Sequence, residues 1–233
     1  MKQLRVLLAH SSQEHRQALS KLLDCAGDSP AGLAEGFQKH GLVLFGRFRR
    51  PRNLAPSYSE IVCKLAEKLK VRSSSSMAPK DLEVAIAKSV FKSGWRKLGR
   101  DQRRTIEEAL ECTANAFDKT GAIAQAGSVF AALTAAQLSG FGVYLMASTA
   151  LAFVSGAVEL TLPFVVYSTV SSAIAVIIGP AGWLGAGLLA VCKLTRPSHK
   201  RLISAVAFIT MLRAEREFRL FRPFPPPKFA SLT

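Results

Sequence analysis

The chain has 233 residues and a net charge of +15, from 31 Lys and Arg against 16 Asp and Glu. This excess favours anionic partners, which are nucleic acids or the anionic face of a membrane. Nucleic-acid binders interleave basic residues with base-stacking aromatics, whereas Tyr58 and Trp95 of this chain fall at core-like positions. We therefore expect anionic membrane lipid as the partner and expect no nucleic-acid partner.

Residues 1–120 are predicted to form a basic helical module. Apolar residues recur at helical spacing over residues 12–25, 58–71, 80–98 and 101–118. The first of these helices is expected to begin with a capping box from Ser11 to Glu14. Residues 34–45 could be a further short helix or an apolar connector. Because no strand-like alternation persists in this module, we predict an all-α helical bundle.

Residues 121–195 form an apolar segment. Between Gly121 and Cys192 the chain has one acid, Glu159, and no Lys, Arg, Asp or His. Roughly twenty apolar residues suffice to cross a bilayer as a helix. The stretch therefore predicts a long apolar helical hairpin in the C-terminal half, either transmembrane or buried as the core of a soluble protein.

The first arm of this hairpin is predicted over residues 128–155, which is long enough to cross a bilayer as one helix. The turn follows at Gly156 to Pro163, with Glu159 at its far tip. Glu159 is interpreted as a solvated turn residue. A carboxylate embedded in lipid would instead be costly and by default functional.

The second arm is predicted over residues 160–192. It must kink or break at Gly179, Pro180 and Gly182, because proline removes a backbone donor and clashes with the preceding helical turn. Small residues recur every four positions in both arms, at Ala132, Ala136 and Gly140 and again at Gly182, Ala186 and Ala190. Such spacing lets helix backbones approach closely, either within the hairpin or between two copies of the chain.

Basic residues flank the hairpin on both sides. Basic residues beside membrane-spanning segments tend to remain on the cytoplasmic side, so both flanks are predicted to lie on the cytoplasmic face. Lys193, Arg196, Lys200 and Arg201 are the candidate membrane-proximal charges. The alternative is that these four side chains lie on a solvated helix start.

Residues 196–233 are predicted to form a basic amphipathic helix followed by a Pro-rich tail. Leu202, Ile203, Val206, Ile209 and Leu212 are expected to share one apolar face of a helix over residues 200–219. That helix could lie on a membrane surface or pack on the front half of the chain.

Two groups of short motifs resemble the YaaW-like family of bacterial proteins, some of which carry a ubiquinol–cytochrome c chaperone label. The first group is Leu7-Leu8-Ala9-His10-Ser11-Ser12-Gln13-Glu14, Tyr58-x-Glu60-Ile61-Val62 and residues 65–71; the second is Gly179-Pro180-Ala181-Gly182-Trp183, Arg196-Pro197, Ala205-Val206 and Leu212-Arg213. The resemblance implies a helical bacterial protein with an apolar C-terminal part. No site residue is carried over from the family. The expected location is the bacterial inner membrane with both termini cytoplasmic, or alternatively the cytoplasm.

Catalytic and cofactor motifs are not found in the sequence. No glycine-rich loop is followed by a phosphate-binding lysine, and His10 and His15 are spaced five apart, which does not suit two metal ligands on one helical face. We therefore predict no enzyme activity, no metal and no cofactor. The leading hypothesis is a membrane-associated protein that docks by basic residues and inserts its hairpin. A sharper version of this hypothesis is that the insertion perturbs the membrane. The competing hypothesis is a soluble interaction or assembly-chaperone-like protein with the hairpin as its core.

Overall fold

The fold is built from α-helices in every part of the chain that the structure describes. The computed structural model describes residues 1–46, 55–71, 77–117, 128–135, 140–156 and 197–221. Its helices are α1 Lys2–Ala9, α2 Gln13–Leu23, α3 Pro30–Phe45, α4 Tyr58–Lys68, α5 Pro79–Trp95, α6 Arg100–Phe117, α7 Val129–Thr134, α8 Phe141–Gly156 and α9 Pro197–Phe221. The prediction of an all-α fold is confirmed for these residues. Residues 34–45 belong to a helix that already begins at Pro30, so the connector alternative is wrong.

Serine side chains cap the N-termini of three of the front helices. Ser12 accepts a hydrogen bond from the His15 backbone N–H at the start of α2. The predicted box from Ser11 to Glu14 is therefore wrong by one residue. A full capping box begins α4 instead, because the Ser57 hydroxyl and the Glu60 carboxylate each accept from the other's backbone N–H.

The first arm of the predicted hairpin is not one helix. α7 ends at Thr134, and the backbone of the next residue, Ala135, has extended angles of φ −55° and ψ 153°. α8 begins after Gly140, whose φ of +53° is a left-handed conformation that glycine adopts without steric penalty. The prediction of a single membrane-spanning helix over residues 128–155 is therefore wrong. Among the described residues, no helix is both long and apolar enough to span a bilayer.

α8 lies in the hydrophobic core of the bundle, packed against α5 and α9. Its side chains from Leu145 to Val154 are all buried, including the hydroxyls of Ser148 and Thr149, which donate to backbone carbonyls one turn earlier. A Cβ atom placed on Gly94 of α5 would lie 2.2 Å from the ring of Phe153. The absence of a side chain at Gly94 thus lets α5 and α8 approach closely.

α9 is the central helix of the bundle, with α8, α5, α3, α2 and α4 packed around it. Every residue from Leu202 to Leu212 is buried, not only the predicted apolar face. The alternative in which this helix packs on the front half is confirmed. One hydrophobic core, which runs from Leu4 to Ala214, draws on all three predicted segments of the chain.

Large apolar side chains are almost all buried in the part of the chain that the structure describes. Val6 is the one large hydrophobic residue that is exposed within the described ranges. Gly156 of the predicted hairpin turn lies at the end of α8. The other residues of the predicted turn and kink lie outside the described ranges: Glu159, Pro163, Gly179, Pro180 and Gly182.

Candidate functional site

An ion pair between α5 and α9 lies inside the bundle. The Glu83 side chain is 1 % exposed, and its Oε2 atom accepts a hydrogen bond of 2.9 Å from Nε of Arg213. α5 places Glu83 one helical turn before the buried residue Ala87, so the acid shares the apolar face that packs into the core. A buried carboxylate is tolerated only where it is paired or neutralised, and Arg213 provides that partner.

Tyr58 completes a buried cluster with this pair. It is the first residue of α4, and its ring packs edge to face on Phe37 at a centroid distance of 5.6 Å. Burial, followed by the nearby Glu83 carboxylate, raises the pKa of Tyr58 well above its usual value. Within the described residues, neither the Tyr58 hydroxyl nor Oε1 of Glu83 has a hydrogen-bonding partner. Tyr58 and Glu83 nevertheless shift each other's pKa through a side-chain hydrogen-bond interaction, so the hydroxyl and the carboxylate lie close together in the cluster.

Burial dominates the charge state of Glu83. It raises the pKa of this carboxyl from 4.5 to about 7, against the opposing effects of Arg213, Tyr58 and Lys80. Desolvation of the carboxylate is thus larger than its attraction to the paired guanidinium. Glu83 consequently exchanges its proton near neutral pH, within a contact that joins α5 to α9.

The stability of the bundle is expected to fall as pH rises through about 7. The folded chain holds the Glu83 proton more tightly than the unfolded chain, so this stabilisation is complete below the unfolded pKa of 4.5 and is lost above the folded pKa. The loss is at most about 3 kcal/mol between about pH 5 and about pH 8. Urea unfolding at a series of pH values would measure it.

The matched variant for this prediction is Glu83→Gln, which keeps an oxygen acceptor for Arg213 but cannot ionise. Its unfolding free energy is expected to be flatter across pH 7 than that of the wild type. Burial lowers the pKa of His40, which gives an opposite slope at lower pH in both proteins. Equal slopes in the wild type and Glu83→Gln would contradict the assignment of this titration to Glu83.

A cleft of about 470 Å³ opens beside the ion pair, between α5, α9 and the start of α8. Glu83 and Arg213 line it together with Lys80, Lys88 and Glu217. Lys80 and Glu217 pair across its rim, and Nζ of Lys88 donates to the Ala135 carbonyl oxygen at 2.5 Å. Two ion pairs, Arg213 with Glu83 and Lys80 with Glu217, thus engage four charged groups of the cleft, and Lys88 is bonded to the backbone. This arrangement can bind and release a proton, but it aligns no nucleophile with a base.

The predicted membrane-proximal residues fall at the start of α9 or outside the described ranges. Lys193 and Arg196 lie outside them, and Lys200 is half-buried in the first turns of α9. Arg201 contacts the end of α2, where Nη1 lies 3.3 Å from the Leu22 carbonyl oxygen and Nη2 lies 3.5 Å from Asp24. A cation suits the negative end of a helix, so Arg201 has a structural role at this place.

His40 and Arg201 both bind the end of α2. Nε2–H of His40 donates to the Leu23 carbonyl oxygen at 2.7 Å, inside the bundle. Near it, burial raises the pKa of the Cys25 thiol, which follows the helix rather than lying within it as the sequence pattern suggested. These groups hold α2, α3 and α9 together. In the part of the chain that the structure describes, no group of three His, Cys, Asp or Glu side chains could hold a metal ion.

Sequence reasoning missed the cluster of Tyr58, Glu83 and Arg213. A signal was present in the pattern of α5, because Glu83 stands at helical spacing from the buried residues Ala87 and Val90. A second signal was Arg213, which follows eleven residues, 202–212, that contain no charged side chain. Neither pattern identifies the partner, since the paired residues are 130 positions apart.

Comparison with protein-family models, curated proteins and solved structures finds no match to this chain. The resemblance to the YaaW-like family therefore stays a prediction.

Proposed function

We propose that this chain is a non-enzymatic, membrane-associated helical protein, which docks on anionic lipid through basic surface residues. The observation that carries the proposal is the uneven distribution of charged residues along the chain. The chain has a net charge of +15, yet residues 157–192 contain one acid and no Lys, Arg, Asp or His. Basic surfaces bind anionic headgroups, and a long uncharged apolar stretch favours contact with acyl chains.

The proposal differs from a two-span hairpin in the role of α8. Because α8 is buried against α5 and α9, it belongs to the bundle and not to the membrane segment. The bundle then acts as a folded head at the membrane surface. Residues 157–192, which lie outside the described ranges, are left as the apolar segment that contacts lipid.

Membrane fractionation of the expressed full-length chain tests this proposal. We expect the protein to remain with membranes after washes in high salt and then in carbonate, and to be released by mild detergent. The matched variant is Val166→Lys with Ile174→Lys, which places two charges in the apolar segment. Each lysine is expected to disfavour insertion by about 3 kcal/mol at the centre of a bilayer, so carbonate should release this variant.

Circular dichroism of the variant shows whether its helices persist, so a loss of membrane binding can be separated from unfolding. A wild-type chain that is monodisperse without detergent and absent from the washed membranes would contradict the proposal. It would favour a soluble interaction or assembly-chaperone-like protein. The burial of α8, together with a described surface on which only Val6 is a large exposed hydrophobic, is the observation on the side of that second function.

A further inference from the structure

We propose that the turn between α5 and α6 is the surface that binds anionic lipid headgroups, an inference that rests on the proposed function. The residues of this surface, called the α5–α6 corner, are Lys92, Arg96, Lys97, Arg100, Arg103 and Arg104. Asp101 is the one acid among residues 92–104. This density of positive charge exceeds what the four predicted flanking residues offer, of which Arg201 is already bound to α2.

Most of the charge in the corner points to solvent. Arg96, Lys97 and Arg100 are exposed, and so is Arg104, which pairs with Glu108 at 2.9 Å. An exposed pair of this kind is weak and opens easily. In contrast to Lys80 and Arg213, which have acidic partners, Arg96, Lys97 and Arg100 have no acidic partner among the described residues.

Arg103 gives the corner a fixed shape. Its Nε atom donates to the Trp95 carbonyl oxygen at 3.1 Å, and its Nη2 atom donates to the Arg96 carbonyl oxygen at 3.0 Å. These bonds join the first turn of α6 to the last turn of α5. Because the backbone is held in this way, binding orders the side chains of the three exposed cations but not the backbone that carries them.

Buried aromatic residues support the corner from below. Trp95 is 6 % exposed and stacks on Phe130 of α7 at a centroid distance of 5.5 Å. Phe91 packs on both of these rings and on Phe153 of α8. The corner is therefore attached to the same core that encloses α8.

Lipid headgroups fit this surface better than nucleic acid does. Single-stranded nucleic acid is bound by aromatic side chains that stack on bases, but Trp95 is turned inward and the corner exposes no other aromatic residue.

Flotation with vesicles tests the corner in the full-length chain. The chain is translated in a cell-free reaction with vesicles of phosphatidylcholine alone or of phosphatidylcholine with phosphatidylglycerol, and is then floated at low salt. Each cation contributes about a fivefold preference for an anionic surface. Arg96→Gln with Lys97→Gln and Arg100→Gln should therefore reduce the preference for anionic vesicles by about 100-fold.

The control variant removes the same amount of charge elsewhere, with Lys2→Gln, Arg5→Gln and Lys21→Gln on α1 and α2. These residues are exposed, and their helices pack mainly on α3 and α9. The control should keep a preference close to that of the wild type. Equal losses in the two variants would overturn the corner as the binding surface while leaving the proposed function in place.

Two other outcomes separate the inference from the proposed function. A wild-type chain that floats with neither kind of vesicle would overturn both. Binding to single-stranded DNA that depends on the corner residues, in a wild-type chain that floats equally with neutral and anionic vesicles, would also overturn the inference, because it would show that the corner binds nucleic acid.

Discussion

Phe153→Ala is expected to lower the free energy of unfolding by about 3–5 kcal/mol, the usual cost of removing a fully buried phenylalanine. Phe153 has no exposed surface and stacks on Phe91 at a centroid distance of 6.1 Å. Its removal leaves a cavity where α5 and α8 meet. Urea unfolding of the purified full-length chain, followed by circular dichroism, would measure the change.

Gly94→Ala supplies the second half of a double-mutant cycle. Helix propensity alone would make this change stabilising by about 1 kcal/mol, because glycine is a poor helix former. The new Cβ atom would lie 2.2 Å from the Phe153 ring, however, so overpacking should reverse the sign and destabilise by about 1–3 kcal/mol.

The two changes should couple, because Phe153→Ala removes the ring that the new Cβ atom meets. In the Phe153→Ala background, Gly94→Ala should be neutral or stabilising. Gly27→Ala is the control, since a Cβ atom there meets nothing within 4 Å. Additive effects of Gly94→Ala and Phe153→Ala would mean that α5 and α8 do not pack together.

Arg213→Met is the second change with a large expected effect. It removes the partner of a carboxylate that is 1 % exposed, and breaking a buried pair on one side costs about 3 kcal/mol or more when the remaining group stays charged. Glu83 ionises with a pKa of about 7. The destabilisation should therefore be larger at about pH 8 than at about pH 5, where Glu83 is protonated.

Unfolding of Arg213→Met in urea at both pH values would measure this difference. Arg216→Met on the same helix is the control, because Arg216 is exposed. Its effect should stay within about 0.5 kcal/mol at either pH. An equal loss of stability at the two pH values in Arg213→Met would contradict the proposed charge state of Glu83.

The helical class and the helices α2, α4, α5 and α6 could be predicted from periodicity, whereas α1 was not predicted and α3 was left open between a helix and a connector. The prediction for residues 58–71 agrees with α4 to within three residues, because one apolar stripe and a strong cap define that helix. The start of α2 was misplaced by one residue, since Ser11 and Ser12 are equally good caps by type. Local sequence thus determined these elements almost completely.

The place of residues 128–155 could not be predicted from the same reasoning. A run of apolar and small residues suits a lipid environment and a protein core equally, because both exclude water. No proline marks the break between α7 and α8, and the nearest sequence signal is Gly140. Whether α8 is covered by α5 and α9 depends on contacts between distant parts of the chain.

The candidate site was missed for a related reason. Glu83 and Arg213 each interrupt an apolar helical face, which is visible in the sequence. Their pairing depends on α9 passing beside α5, and no local pattern encodes that arrangement. The basic residues of the α5–α6 corner, in contrast, are contiguous in sequence, and only their exposure required the structure.

The burial of α8 within the bundle is tested most directly by an engineered disulfide between α5 and α8. A Cβ atom on Gly94 lies 2.6 Å from Cγ of Phe153, which is one bond from Cβ, so the two Cβ atoms are at most about 4 Å apart and close enough for a disulfide to join them. Gly94→Cys with Phe153→Cys, in a chain whose four native cysteines are replaced by serine, should cross-link on mild oxidation.

Non-reducing gels of the full-length chain, taken from cells before any detergent is added, would show the cross-link as a shift in mobility. Gly27→Cys with Phe153→Cys is the control pair and should not cross-link. If the pair at positions 94 and 153 cross-links and the control does not, α8 is part of the bundle. If the two pairs behave alike, α8 lies away from α5, and a bundle with α8 in its core is contradicted.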